Sequence, residues 1–277
     1  MGGDEPVLLI GSGLTAVDVV LALAARGHRG AVTMVSRRGL LPAAHREQRG
    51  VYPAEAARGL AVEMGGTARG GLRALRRAMT RHEAAGGDWR DVMAALRPHL
   101  PALWQGLPLH ERRRFLRRLQ PWWDAARHRC APASHARFES LREAGRVRLR
   151  PGRLLAIQER PGLLEVHLRP RGTAAVEQLA VAHVVNCTGP TSDLAQGGGP
   201  LVARLLARGW LQADALGLGV AVDTEGAVVG RDGAASGWLH YIGPLLRARD
   251  WEATAVPELR VHARRLAERL LASPTAR

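Results

Sequence analysis

The chain reads as an α/β protein. It predicts a Rossmann-like dinucleotide-binding domain with a helical insertion, then a β-rich portion that closes on a C-terminal helix. Three observations carry that reading: an apolar strand running into Gly11-Ser12-Gly13, a helical period from about Leu72 to Arg142, and a period of two after Gly145. The 277 residues suggest one large or two moderate domains, and the change of period places two at 1–150 (insertion about 71–143) and 151–277.

Val7 to Ile10 is short and wholly apolar, as a strand buried on both faces should be. Gly11 permits the tight turn, and Gly13 lets backbone approach a pyrophosphate with no Cβ in the way. Ala16 stands at the third small position of G-x-G-x-x-G/A, where helix and strand pack closely. The helix is expected from about Leu14 to Arg26, with Gly27 as its left-handed stop. Its first N–H groups would face phosphate, and Thr15 adds a hydroxyl in the first turn. A second strand follows at Ala31 to Val35. The candidate cofactor residues of this segment are Gly11, Ser12, Gly13, Leu14, Thr15 and Ala16.

The end of the second strand selects the coenzyme. NAD-binding folds place an acidic residue there for the ribose 2′-hydroxyl. This chain has Ser36, Arg37 and Arg38 instead, two guanidiniums and a hydroxyl suited to a 2′-phosphate. NADPH is the expected cofactor.

In the middle, Leu72, Leu75 and Met79 form one stripe, while Arg73, Arg76, Arg77 and Arg81 face away. Asp88 should cap a helix bearing Trp89, Val92, Met93 and Leu96. Pro98, Pro101 and Pro108 should break the run. Phe115, Leu116 and Leu119 form a further stripe ending near Pro121-Trp122-Trp123. Arg127-His128-Arg129 would complement a helix end or meet an anion.

Further on, Leu164, Val166 and Leu168 alternate with polar residues after an Arg160-Pro161-Gly162 turn, so a hairpin is expected. Val184 to Cys187 reads as a buried strand leading into Thr188-Gly189-Pro190, a corner tight enough to pass near a nucleotide. A short hairpin is expected around Asp223 to Gly226. A strand, a loop from Gly243 to Thr254 and an amphipathic helix starting near Pro257 close the chain.

Composition excludes some classes. Cys130 and Cys187 match no metal or redox spacing, which points to a reducing, cytoplasmic setting. The net charge of +15 comes with 40 basic residues that are all Arg, as biased coding would give. It implies general attraction to polyanions, not specific nucleic-acid recognition. No apolar stretch has the length of a membrane span.

Five ordered blocks carry a resemblance: "GSGLTAVDVV…GH…VSRRGLLPAAH", "DWRDVMAALRP…LW", "RFLRRLQPWWDAARHR", "VVNCTGP" and "GPLLRARDWEATAVPELR". Together they resemble the bacterial FAD/NAD(P)-binding oxidoreductases of the YdhS-like type, distant kin of flavin-containing and N-hydroxylating monooxygenases. The resemblance implies that Gly11, Gly13 and Ala16 form the family's second, pyridine-nucleotide glycine motif. It makes Thr188, Gly189 and Pro190 the crossing back into a flavin domain. Gly243, Pro244 and Thr254 would then belong to that domain's closing loop and helix, beside FAD. The family carries a first, FAD-binding glycine motif ahead of all this, where the chain has only Met1 to Pro6. The implied activity is NADPH-dependent hydride transfer to flavin in an FAD oxidoreductase, present here as a C-terminal portion or truncated form. FAD would be held only with the missing unit or a partner chain that supplies it. The alternative is a non-catalytic NADPH-binding subunit or redox sensor. Hydride transfer needs no side-chain acid or base, so no catalytic residue is assigned.

Overall fold

The computed structural model describes residues 3–48 and 50–272. In chain order the elements are β1 (Val7–Ile10), α1 (Leu14–Ala25), β2 (Val32–Ser36), α2 (Ala54–Glu63), α3 (Ala68–Ala84), α4 (Trp89–Leu96), α5 (Leu100–Gly106), α6 (Leu109–Arg118), α7 (Gln120–Arg127) and α8 (Pro132–Glu143). There follow β3 (Val147–Arg160), β4 (Leu163–Pro170), β5 (Glu177–Val181), β6 (His183–Asn186), α9 (Leu194–Gly197), α10 (Gly199–Ala207), β7 (Ala227–Val229), β8 (Ala235–His240) and α11 (Val256–Ala272). The chain divides into two compact units, one of residues 3–48 and 118–189, the other of 50–117 and 190–272.

The first unit is built on one six-stranded sheet, ordered β5-β4-β3-β2-β1-β6. β1 pairs in parallel with β2 on one side and β6 on the other. β3 serves two partners. Val147 to Pro151 runs parallel to β2, and from Gly152 onward the strand pairs antiparallel with β4, with a bulge between Leu154 and Ala156. The alternation of β1 is visible in its burial. Val7 and Leu9 pack with Ala16, Val17 and Val20 of α1 and with Phe138 and Leu141 of α8. Leu8 points to the other face, where it meets Val35, Val166, Leu168 and Val181. Both faces of β1 are thus covered, which is why it can be apolar throughout.

The second unit contains the helices α2 to α5 and most of α6, together with α9, α10, the β7–β8 pair and α11. Its helices begin at Ala54, ahead of the first legible stripe, because α2 buries only Ala57 and Leu60. The expected Asp88 cap is present, accepting the Arg90 N–H at 2.7 Å. Val92, Met93 and Leu96 are buried.

Of three local expectations, the proline breaks hold and the other two differ. Pro98 falls in a short 3-10 turn and Pro101 in the first turn of α5, positions where no helical N–H is required, so they segment the run. Pro121 lies in the first turn of α7, so Pro121-Trp122-Trp123 starts a helix where the sequence suggested an end. At Asp223 to Gly226 the turn forms, with the Asp223 carboxylate accepting the Glu225 and Ala227 N–H groups at 2.8 and 2.9 Å. Beyond it, Val222 and Val228 make only a single bridge, because β7 pairs instead with β8.

Candidate functional site

The carboxyl ends of β2, β1 and β6 lie side by side, and the strand order reverses about β1, which has β2 on one flank and β6 on the other. Such a switch point is where open α/β sheets bind nucleotides. Gly11 is wedged there. Its N–H donates to Val35 O of β2 at 2.8 Å. A Cβ on Gly11 would stand 2.8 Å from the Cys187 carbonyl oxygen just past β6, and its φ is +113°. The glycine is required because β6 approaches so closely.

Gly13 differs in kind. A Cβ there would meet nothing within 4 Å, so the space above it is open. Gly13 is the N-cap of α1, with no side-chain cap and no acidic residue in the first turn. The positive end of the helix dipole is therefore left for an external anion. Gly13 and Thr15 are exposed, Leu14 is half-buried, and Ala16 is fully buried against the core. The turn fits a pyrophosphate: room, N–H donors and no competing carboxylate.

Ser12 is turned inward. Its side chain is buried, 2.6 Å from Leu40 O and 2.7 Å from Ser36 Oγ. A carbonyl can only accept, so the Ser12 proton goes to Leu40 and Ser36 donates to Ser12. Ser36 Oγ in turn accepts the Gly39 N–H at 3.1 Å. Gly39 has φ +63°, and a Cβ on it would fall 2.6 Å from Pro151 Cγ. Arg37 and Arg38 sit between these anchors. Arg38 is half-buried and donates to Arg118 O at 3.1 Å. Arg37 is exposed.

At the end of β6, the Thr188 N–H and hydroxyl both donate to Asn186 Oδ1, at 3.1 and 2.7 Å, and Gly189 turns with φ +82°. Asn186 had no role in the sequence reading. The signal for it is an Asn two residues before a Thr, the spacing of an Asx turn. The structure therefore brings Gly11 to Ala16, Ser36 to Arg38, Thr188 and Gly189 together in the first unit. Cys187 and Cys130 are buried and unpaired, and burial pushes both thiols up, with Asp18 adding to the effect at Cys130.

Pro190, Gly243, Pro244 and Thr254 belong to the second unit. Gly243 is buried with φ +143°, and the atom nearest a Cβ there would be Tyr241 Oη at 2.6 Å. That glycine makes room for the chain's own tyrosine, and it offers no open cradle of the Gly13 kind. Thr254 and Pro244 are exposed.

Comparison with solved structures places this architecture. L-lysine 6-monooxygenase from Pseudomonas syringae aligns with 97% of this chain and 53% of its own, at 20% identity and a TM-score of 0.57. The fold is shared with flavin-dependent monooxygenases. The reduced form of ornithine hydroxylase from Pseudomonas aeruginosa matches 97% of this chain and 53% of its own, with 13% identity and the same TM-score of 0.57. An ornithine N-hydroxylase from Kutzneria sp. 744, solved with reduced FAD, NADP+ and L-orn, matches 98% of this chain and 54% of its own at 12% identity and TM-score 0.54. The chain thus spans about half the length of these structures. No family model and no curated protein matches it. Among the described residues no helix is long and apolar enough to cross a membrane, and no cluster of three or more His, Cys, Asp or Glu could hold a metal.

Proposed function

We propose that this chain is the NADPH-binding part of a flavin-dependent oxidoreductase, of the kind that the YdhS-like sequence blocks suggest. One observation carries the reading: an open glycine turn at the switch point, with the exposed guanidinium of Arg37 at the adjoining strand end. Gly11, Gly13, Ala16 and the first N–H groups of α1 would hold the pyrophosphate. Arg37 would take the 2′-phosphate, while Ser36, whose proton is committed to Ser12, and Arg38, through Arg118 O, steady the loop. Thr188 and Gly189 would border the coenzyme at the end of β6. Bound NADPH supplies a hydride; the residues named here bind and orient, and none of them moves a proton. FAD enters this proposal through the shared fold and the sequence blocks, and no step is assigned to Pro190, Gly243, Pro244 or Thr254.

One charge-assisted contact from Arg37 is worth about 1.5–3 kcal/mol, a preference of roughly ten- to a hundredfold for NADPH over NADH. Calorimetric titration of the purified chain with both coenzymes tests this. Arg37→Glu should bring the preference to about unity or below. Equal affinity of the unaltered chain for the two coenzymes would overturn the reading.

A further inference from the structure

We propose that Ser12 is a positioning residue for coenzyme selection: its hydroxyl ties the glycine turn to the loop that presents Arg37. The inference rests on the NADPH reading and adds to it a residue whose side chain does not face the coenzyme.

Three features support it. The Ser12 side chain is buried, so its hydroxyl is directed away from the open space over Gly13. Its two partners, Ser36 Oγ and Leu40 O, lie 24 and 28 residues away in sequence and bracket Arg37 and Arg38. The loop is also closed on itself, through the Gly39 N–H to Ser36 Oγ and the contact of Gly39 with Pro151. A five-residue loop held at both ends leaves Arg37 little backbone freedom. Without Ser12 Oγ, both ends lose their crossing bond to the glycine turn, and only the bond of Gly39 N–H to Ser36 Oγ and the Pro151 contact still close the loop.

The consequence is specific. The pyrophosphate turn is common to both nicotinamide coenzymes, and the Arg37 loop matters to only one. Removing the Ser12 hydroxyl should therefore weaken NADPH while sparing NADH. A defect in the glycine turn itself would weaken both alike.

The experiment titrates the full chain with NADPH and NADH, comparing the unaltered protein with Ser12→Ala, Ser12→Thr, Arg37→Gln and the Ser12→Ala/Arg37→Gln double variant. Ser12→Ala should lose NADPH affinity about five- to tenfold, the factor for one ordinary hydrogen bond, with NADH unchanged within about twofold. Ser12→Thr, which keeps the hydroxyl, should restore most of the preference. With Arg37 already replaced, Ser12→Ala should alter the ratio no further. Ser12→Gly removes the same hydroxyl at a turn position and serves if the alanine variant fails to fold. Equal loss of both coenzymes, or an unchanged ratio in a chain that prefers NADPH, overturns the role of Ser12 alone. A chain with no NADPH preference at all overturns the parent reading and this one together.

Discussion

The glycine turn of the first unit and the aromatic cluster of the second are held by opposite means. At the turn, what matters is the lack of side chain: Gly11 accommodates a neighbouring carbonyl, and Gly13 leaves space unfilled. In the cluster, Trp104 is buried, its indole N–H donates to Ala248 O at 2.7 Å, and its ring lies tilted 4.6 Å from Trp251 and edge-to-face 5.7 Å from Phe115. Bulk and the indole hydrogen bond join residues 144 apart in sequence. The first arrangement is written in a few adjacent residues. The second exists only once distant segments meet.

The sharpest break of the aromatic side is Trp104→Ala. It should cost about 3–5 kcal/mol in chemical denaturation, combining a large cavity with an orphaned Ala248 carbonyl. A loss under 1 kcal/mol would mean that the cluster adds little to stability.

The two glycines should separate stability from binding. Gly11→Ala should destabilise by roughly 1–3 kcal/mol, from a strained φ and a clash with Cys187 O. Gly13→Ala should change stability by less than about 1 kcal/mol, since its φ of −82° is ordinary and the added methyl meets nothing. It should nonetheless abolish most NADPH affinity. Thermal melts run beside coenzyme titrations of each variant decide this; full coenzyme affinity in Gly13→Ala would remove the turn from the binding site.

A third contrast is electrostatic. Arg97 grips Glu258 with two bonds of 2.5 and 2.6 Å, and that carboxylate raises the Arg97 pKa further. Side-chain exposures of 35% and 19% place the pair between surface and interior. Glu258→Gln should cost about 1 kcal/mol, more than a surface pair and less than a buried one. The smallest effect is expected at the cysteines. Burial raises both thiols, so neither should react with an alkylating reagent at neutral pH until the protein is unfolded. Mass spectrometry of native and denatured samples reads this directly.

The arginine excess also divides along these lines. Several arginines cap carbonyls within the fold: Arg112 donates to Leu107 O and Gln105 O, Arg231 to Leu206 O, and Arg249 to Asp223 O and Thr224 O. These bonds fix where the guanidiniums sit and use some of their N–H donors, but they leave the formal charge of +15 unchanged.

Sequence alone determined the β1–turn–α1–β2 start, the Asp88 cap, the β3–β4 hairpin and the terminal helix. Each follows from interactions within a few residues, so spacing and side-chain type suffice. It also located the two arginines at the end of β2. Tertiary structure decided what their neighbourhood is: that Ser12 faces inward to Ser36 and Leu40, that Arg38 is engaged by Arg118 O, and that Cys187 explains Gly11. It likewise decided that β7 pairs with β8 and that Gly243 yields to Tyr241. Apart from Tyr241, two residues from Gly243, those partners lie tens of residues away or across a turn that local propensity leaves open, and only the packed chain brings them into contact.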